Sequence, residues 1–229
     1  ILLVKTQFRR YLGDIGNQST WSFPVIYQVV DAATPDKMGQ LDSQDLLQPF
    51  KQAAEQLIAR GAIGLTTSCG FLSYYQQELA AWSPVPIVTS SLLQYATISR
   101  MLPAGQKTLI LTFNGAALKG DYLNKVGIPE DAYVVGLPQN PVFVQSILGN
   151  ATQGEWTQLE QEVLLTTKSA LERYPDTGAL LLECTNISPF SASLRRQFGL
   201  PVFDIVTLVN TFSLSLNPPV YDRGTNWCY

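Results

Sequence analysis

The sequence predicts an α/β fold made of two pseudo-symmetric, doubly wound αβα domains with mainly parallel sheets and the active site between them. Three observations carry that expectation. Strand-length apolar runs alternate with helical stripes, the order of elements recurs in the second half of the chain, and each half closes an equivalent strand on a cysteine.

Taken in order, Ile1 to Thr6 is a short apolar run suited to a buried strand, followed by the polar loop Gly13-Asp14-Ile15-Gly16-Asn17. Val25 to Val30 supplies a second strand. Leu46, Leu47, Phe50, Ala53, Ala54, Leu57 and Ile58 recur at three- and four-residue steps, which places them on one face of a helix ending near Gly61. Gly61 to Thr67 then reads as a central strand, and Ser68-Cys69-Gly70 as the turn into the next helix. In the second half, Lys107 to Thr112 stands where Ile1 to Thr6 stood. Trp156, Leu159, Val163, Thr167, Ala170 and Leu171 repeat the helical stripe, and Gly178-Ala179 opens a run that ends at Cys184. Seventeen residues after each cysteine comes a proline leading a short apolar strand, Pro86-Ile87-Val88 and Pro201-Val202-Phe203. Helix candidates follow at Ser91-Leu92-Leu93 and Thr207-Leu208-Val209.

Composition removes whole classes of chemistry. The 229 residues are 46% hydrophobic and 14% charged, with 16 Gly and 14 Pro, which fits a globular chain with a sizeable core. There is no histidine, so Ser-His-Asp and Cys-His catalysis and imidazole-ligated zinc are excluded. No metal site is expected. A net charge of −3 with 15 scattered Lys and Arg argues against nucleic acid as a partner, and no apolar run is long enough for a membrane span. Three cysteines in a chain of this length form no disulfide framework and fit a reducing compartment, so a cytoplasmic protein is expected. The sequence starts at Ile1 and not at Met, and a short preceding piece is expected. Asn-x-Ser/Thr triplets begin at Asn17, Asn150 and Asn186, a pattern short enough to arise by chance.

Cys69 and Cys184 each fall where a strand ends and a helix begins. In an open α/β sheet that is where functional groups gather. A helix N-terminus favours a thiolate, so each thiol is expected to fall about one to several units below its reference near 8.5. The same N–H groups can donate to a carboxylate. Two such thiols facing each other across a cleft can take an α-proton from one face of a small chiral carboxylate and return one to the other face, with Thr67, Ser68, Thr185 and Asn186 fixing the oxygens. The competing reading is that a free cysteine packs as a small hydrophobe. Cys228 has no counterpart and reads as incidental.

At these residues the chain resembles the aspartate/glutamate racemase superfamily, which includes hydantoin racemases, maleate cis-trans isomerases and arylmalonate decarboxylases. The likeness rests on Thr66-Thr67-Ser68-Cys69-Gly70-Phe71, on Glu183-Cys184-Thr185-Asn186 and on the Gly-Asp-x-Gly-Asn loop at Gly13 to Asn17. The resemblance implies a first domain of residues 1–97 plus 206–229 carrying Cys69, and a second of residues 98–205 carrying Cys184. It also implies a cofactor-independent mechanism with Cys69 and Cys184 catalytic. Thr67, Ser68, Gly70 and Phe71 match the segment around the family's first cysteine, and Thr185 and Asn186 the segment after its second. Asp14, Asn17, Thr112 and Asn114 stand where members also hold substrate, although Asp14, Asn17 and the Asn114-Gly115 pair equally fit turns.

The expected activity is therefore racemisation or epimerisation of an amino acid or related carboxylate, with a small carboxylate as partner and a homodimer as the default assembly. Two departures matter. Glutamate racemases carry histidine in Gly-Cys-Thr-His where this chain has Asn186, and arylmalonate decarboxylases keep only one of the two cysteines. The alternatives are a maleate-type cis-trans isomerase with a nucleophilic cysteine and a non-catalytic module that binds a small anion. A thiol-redox role is disfavoured because Cys-x-x-Cys is absent.

Overall fold

Leu109-Ile110-Leu111 and Ala179-Leu180-Leu181-Leu182 are uninterrupted apolar runs because both faces of their sheet are covered. Leu109, Leu111, Leu180 and Leu182 face one core, while Ile110, Ala179 and Leu181 face another. In the computed structural model, which describes residues 1–38, 44–139, 142–149 and 155–220, these runs lie in β5 (Lys107–Thr112) and β7 (Thr177–Leu182). With β6 (Tyr133–Gly136) and β8 (Val202–Phe203) they form a parallel sheet in the order β6-β5-β7-β8.

The first half repeats that order. β1 (Leu2–Val4) pairs in parallel with β2 (Gln28–Val30), and β3 (Leu65–Thr66) with β4 (Ile87–Val88). A parallel bridge between Leu2 and Thr67 joins the pairs, giving β2-β1-β3-β4. The proline spacing noted in the sequence has a structural counterpart. Leu65 N–H donates to Pro86 O and Leu180 N–H to Pro201 O, each at 2.9 Å, so each proline enters a strand beside its cysteine strand. The α/β class with parallel sheets and two similar halves is thus observed.

The helices follow from their stripes. α1 (Pro35–Met38) is a single turn. In α2 (Gln44–Ala59), Leu46, Phe50, Ala53, Ala54 and Leu57 are buried. Leu159, Val163, Thr167 and Ala170 are the buried face of α7 (Trp156–Arg173). The remaining helices are α3 (Gln76–Trp82), α4 (Tyr95–Met101), α5 (Asp121–Lys125), α6 (Val142–Leu148), α8 (Ser191–Phe198) and α9 (Ile205–Leu216). β3 is shorter than the expected Gly61–Thr67. Gly61, at φ +90°, terminates α2 with Gly61 N–H on Ile58 O and Ala62 N–H on Leu57 O, a Schellman ending. Gly64 then passes so close to Phe212 and Leu216 of α9 that a Cβ would collide with them.

That contact belongs to a wider one. Ile205 and Val209 of α9 share a core with Ile1, Ile15 and Trp21, so the last described helix packs on the first half. Asp204 caps α9 through a reciprocal pair with Thr207. Gln94, just before α4, donates to Asp204 O at 2.9 Å, which ties the two crossings between halves to each other. No helix among the described residues is long and apolar enough to cross a membrane. Asn150 and Cys228 lie outside the described residues.

Candidate active site

In each half the strand order reverses beside the first strand, between β1 and β3 and between β5 and β7. Loops leaving the carboxyl ends of such strands diverge and leave a crevice. The loops after all four of these strands supply the site.

After β3, Ser68 continues the sheet sideways: its N–H donates to Leu2 O and its Oγ accepts from Val4 N–H, both at 2.9 Å. This fixes Cys69 at the start of a 3₁₀ turn over Gly70–Tyr75, where Phe71 and Leu72 N–H groups reach the sulfur. After β7, Glu183 N–H donates to Leu111 O at 2.8 Å, extending the ladder one residue before Cys184. The Cys184 thiol donates to Asn186 Oδ1 at 3.8 Å. Thr185 Oγ1 donates to Ser68 O at 2.9 Å, so the two cysteine loops are bonded to each other across the halves.

Both sulfurs line one cleft of about 520 Å³ including its open mouth. Of the residues expected from sequence, Ser68, Cys69, Gly70, Phe71, Cys184, Thr185 and Asn186 share that wall. Asp14 stands behind it and lines an adjoining cleft. Its buried carboxylate accepts from Asn186 Nδ2 at 2.8 Å, from Arg10 Nη1 at 2.7 Å and from Gly16 N–H at 2.7 Å. Thr67, Thr112, Asn17 and Asn114 are not on the wall. Thr67 Oγ1 donates to Thr89 O, and Thr112 Oγ1 to Glu183 Oε2. Asn17 caps the turn over Gln18–Thr20, and Asn114 Oδ1 accepts from Ala116 N–H. Thr67, Asn17 and Asn114 satisfy buried or turning backbone and Thr112 the Glu183 carboxyl, which is why their types resemble ligand groups without reaching the cleft.

The expected low thiol pKa is not what this geometry gives. Burial pushes Cys69 up from 9.0 to about 12, with the nearby Glu183 charge adding to the rise and the Phe71 and Leu72 N–H groups opposing it. Cys184 is likewise held well above the ordinary thiol value, by burial first and Glu183 second. One short 3₁₀ turn offers too little dipole to offset desolvation.

Among the lining residues that sequence reasoning missed, two are ionisable, Glu183 and Arg10. Glu183 is 1% exposed, and burial raises its carboxyl from 4.5 to about 7 against the bonds from Thr112 and Phe113 N–H. It therefore titrates near neutrality, so the thiols are not the sole proton-trading groups here. A carboxylate directly after an all-apolar buried strand was a readable signal. Arg10 donates through Nη2 to Thr6 Oγ1 at 2.9 Å and pairs with Asp14. Phe8, Phe113, Met38 and Ile147 complete an otherwise apolar wall. Among the described residues no group of His, Cys, Asp and Glu is arranged to hold a metal.

The arrangement offers thiol bases, a cation and a carboxyl around a small apolar cleft, and comparison with known proteins narrows what such a set is used for. No protein-family model matches the sequence. Over 94% of its length the chain is 30% identical to dimethylsulfoniopropionate lyase 7 of Emiliania huxleyi (strain CCMP1516), covering 66% of that protein. It is 29% identical to the dimethylsulfoniopropionate lyase of Durusdinium sp. clade D, over 87% of this chain and 68% of that one. Lyases 3, 5 and 6 of Emiliania huxleyi are spanned over 59% or less of their length, so the chain corresponds to about two thirds or less of several curated relatives. Among solved structures, a cysteine-bearing variant of arylmalonate decarboxylase in its sulfate-associated form superposes with TM-score 0.60 at 13% identity, over 97% of this chain and 95% of that one. Glutamate racemase from Thermus thermophilus superposes with TM-score 0.54 at 19% identity, over 84% and 72%. The fold is the racemase-like one.

The activity is another matter. The curated relatives are lyases, which overturns the racemase or epimerase expected from the sequence, together with the cis-trans isomerase and the anion-binding module set beside it. The physical reason lies in what the motifs encode. Thr-Thr-Ser-Cys-Gly-Phe and Glu-Cys-Thr-Asn carry the expectation of a base and its surroundings, which removal of an α-proton requires in racemisation and elimination alike. They do not encode whether the carbanion is reprotonated or expels a leaving group.

Proposed function

We propose that this chain is a lyase that cleaves dimethylsulfoniopropionate by elimination. The observation that carries the proposal is the pairing of lyase relatives over 94% of the chain with a cleft lined by Cys69, Cys184, Arg10 and Glu183.

The substrate has a carboxylate, an acidic α-carbon and a sulfonium on the β-carbon. A thiolate takes the α-proton. The electron pair left on the α-carbon forms the α,β double bond, and the bond from the β-carbon to sulfur breaks with its electrons going to sulfur. The products are acrylate, neutral dimethyl sulfide and a protonated thiol, which returns its proton to solvent. Atoms and electrons balance without oxidant, reductant or cofactor. Because elimination needs a single base, one cysteine of Cys69 and Cys184 performs it while the other shapes the wall. A thiol held at high pKa is a strong base once ionised, and an arriving sulfonium favours that ionisation. Ser68 and Asn186 act on the substrate's oxygens, Thr185 holds the Ser68 loop through its bond to Ser68 O, and Asp14 positions Asn186 and Arg10. The division of the chain at residues 98 and 206 into a Cys69 unit and a Cys184 unit is part of this reading.

The test is headspace gas chromatography for dimethyl sulfide after incubation with the substrate, with Cys69→Ser and Cys184→Ser alongside. One of the two variants is expected to lose turnover by about 100-fold or more. Absence of dimethyl sulfide from the unmodified chain, or full activity in both variants, overturns the proposal.

A further inference from the structure

Resting on that reading, we infer that the cleft is built for a zwitterion, with Arg10 taking the carboxylate and Glu183, backed by phenyl rings, taking the onium head. The chemical class is a carboxylate bearing a sulfonium or quaternary ammonium on its β-carbon.

Arg10 is held as an anchor. Asp14 and Thr6 engage one nitrogen each, at 2.7 and 2.9 Å. The guanidinium also rests on Gly16, where a Cβ would come within 2.6 Å of Nε, and lies 5.1 Å from the Phe8 ring centre. A guanidinium has five N–H donors, so those two bonds leave donors for a ligand carboxylate in a planar fork. The side chain is only 14% exposed, so its position costs little further ordering on binding.

Glu183 is held from the other half. Oε2 accepts from Thr112 at 2.6 Å, and Phe113 N–H also donates to the carboxyl. Gly70 makes room for it: a Cβ there would meet Oε1 at 2.1 Å. Among the described residues this buried acid has no salt-bridge partner. A buried carboxylate without a cation is costly, and a cationic ligand head supplies the missing partner. The rings of Phe71 and Phe113 share the wall, and aromatic faces favour onium groups.

The experiment uses two non-sulfur ligands of equal shape: propionate bearing trimethylammonium on its β-carbon, and its counterpart in which carbon replaces nitrogen. Calorimetric titration of the intact chain at about pH 8 gives the ratio of their dissociation constants. The ammonium ligand is expected to bind about tenfold or more tightly than the neutral one, a preference that Glu183→Gln abolishes while leaving the neutral ligand unchanged. Arg10→Gln is expected to weaken both ligands alike, by about tenfold or more, and Arg10→Lys to restore part of that loss. A preference that survives Glu183→Gln, or equal weakening of both ligands by it, overturns the inference. Release of dimethyl sulfide without charge preference defeats this inference alone, and charge preference without dimethyl sulfide defeats the lyase reading alone.

Discussion

Replacing Glu183 by Gln is expected to stabilise the protein above neutral pH and to have little effect below about pH 5. The carboxyl is 1% exposed and its pKa is raised from 4.5 to about 7, chiefly by burial. Between those values the folded state holds a proton that the unfolded state has already lost, so Glu183 makes stability fall as pH rises through the window. Each tenfold in the proton equilibrium is about 1.4 kcal/mol, so the full cost above pH 7 is about 3 kcal/mol. Glutamine keeps the shape and the acceptor for Phe113 N–H without the charge. For a chain of this size the difference in melting temperature between the variant and the parent should grow by roughly 6–12 °C from about pH 5 to pH 8. Scanning calorimetry of both proteins across that range measures it, and taking the difference removes other titrating groups. The titratable neighbours of Glu183 are Cys69, Cys184 and Tyr122, all with pKa values pushed up, so none ionises within the window. A difference that stays flat with pH would refute the reasoning, since it would mean that Glu183 is not an unpaired buried acid.

Other outcomes follow from the same geometry. With Cys69 pushed up to about 12, its thiolate fraction at pH 8 is about one in ten thousand, so iodoacetamide should label it far more slowly than a free cysteine; peptide mass mapping that finds ordinary rates contradicts the buried site. Gly70→Ala forces a Cβ into Glu183 and should cost about 1–3 kcal/mol in urea unfolding together with loss of activity; retained activity would mean that Glu183 moves freely. Tyr122→Phe removes a hydroxyl that donates to Phe71 O at 2.9 Å and contacts Ser73 Oγ at 2.5 Å, and should cost about 1–3 kcal/mol in the same assay.

How far the sequence could be read is clearest at individual elements. The stripes of α2 and α7 and the apolar runs of β5 and β7 were legible because burial imposes a period on residue type. The two prolines following the cysteines were legible because both halves use them to enter a strand. β6, four residues ending in Gly136, carried no pattern of its own and is defined by its pairing with β5. At the site, the cysteines and their flanks were visible as motif, whereas Arg10 was not, because its place depends on Asp14, Thr6 and Gly16 converging in space. Thr67 and Thr112 illustrate the converse. A hydroxyl that completes a buried hydrogen bond and one that meets a ligand look alike in a sequence.

The packing of α9 on the opening strand also bears on how the chain is made. Ile1, Ile15 and Trp21 lie in a core whose other members include Ile205 and Val209, so this segment waits for one synthesised nearly two hundred residues later. Until α9 arrives, that apolar surface has no cover. The second half, whose strands and helices lie within a continuous stretch, has no such delay. Completion of the earlier half therefore follows synthesis of α9, and so does completion of the cleft, which draws on both halves.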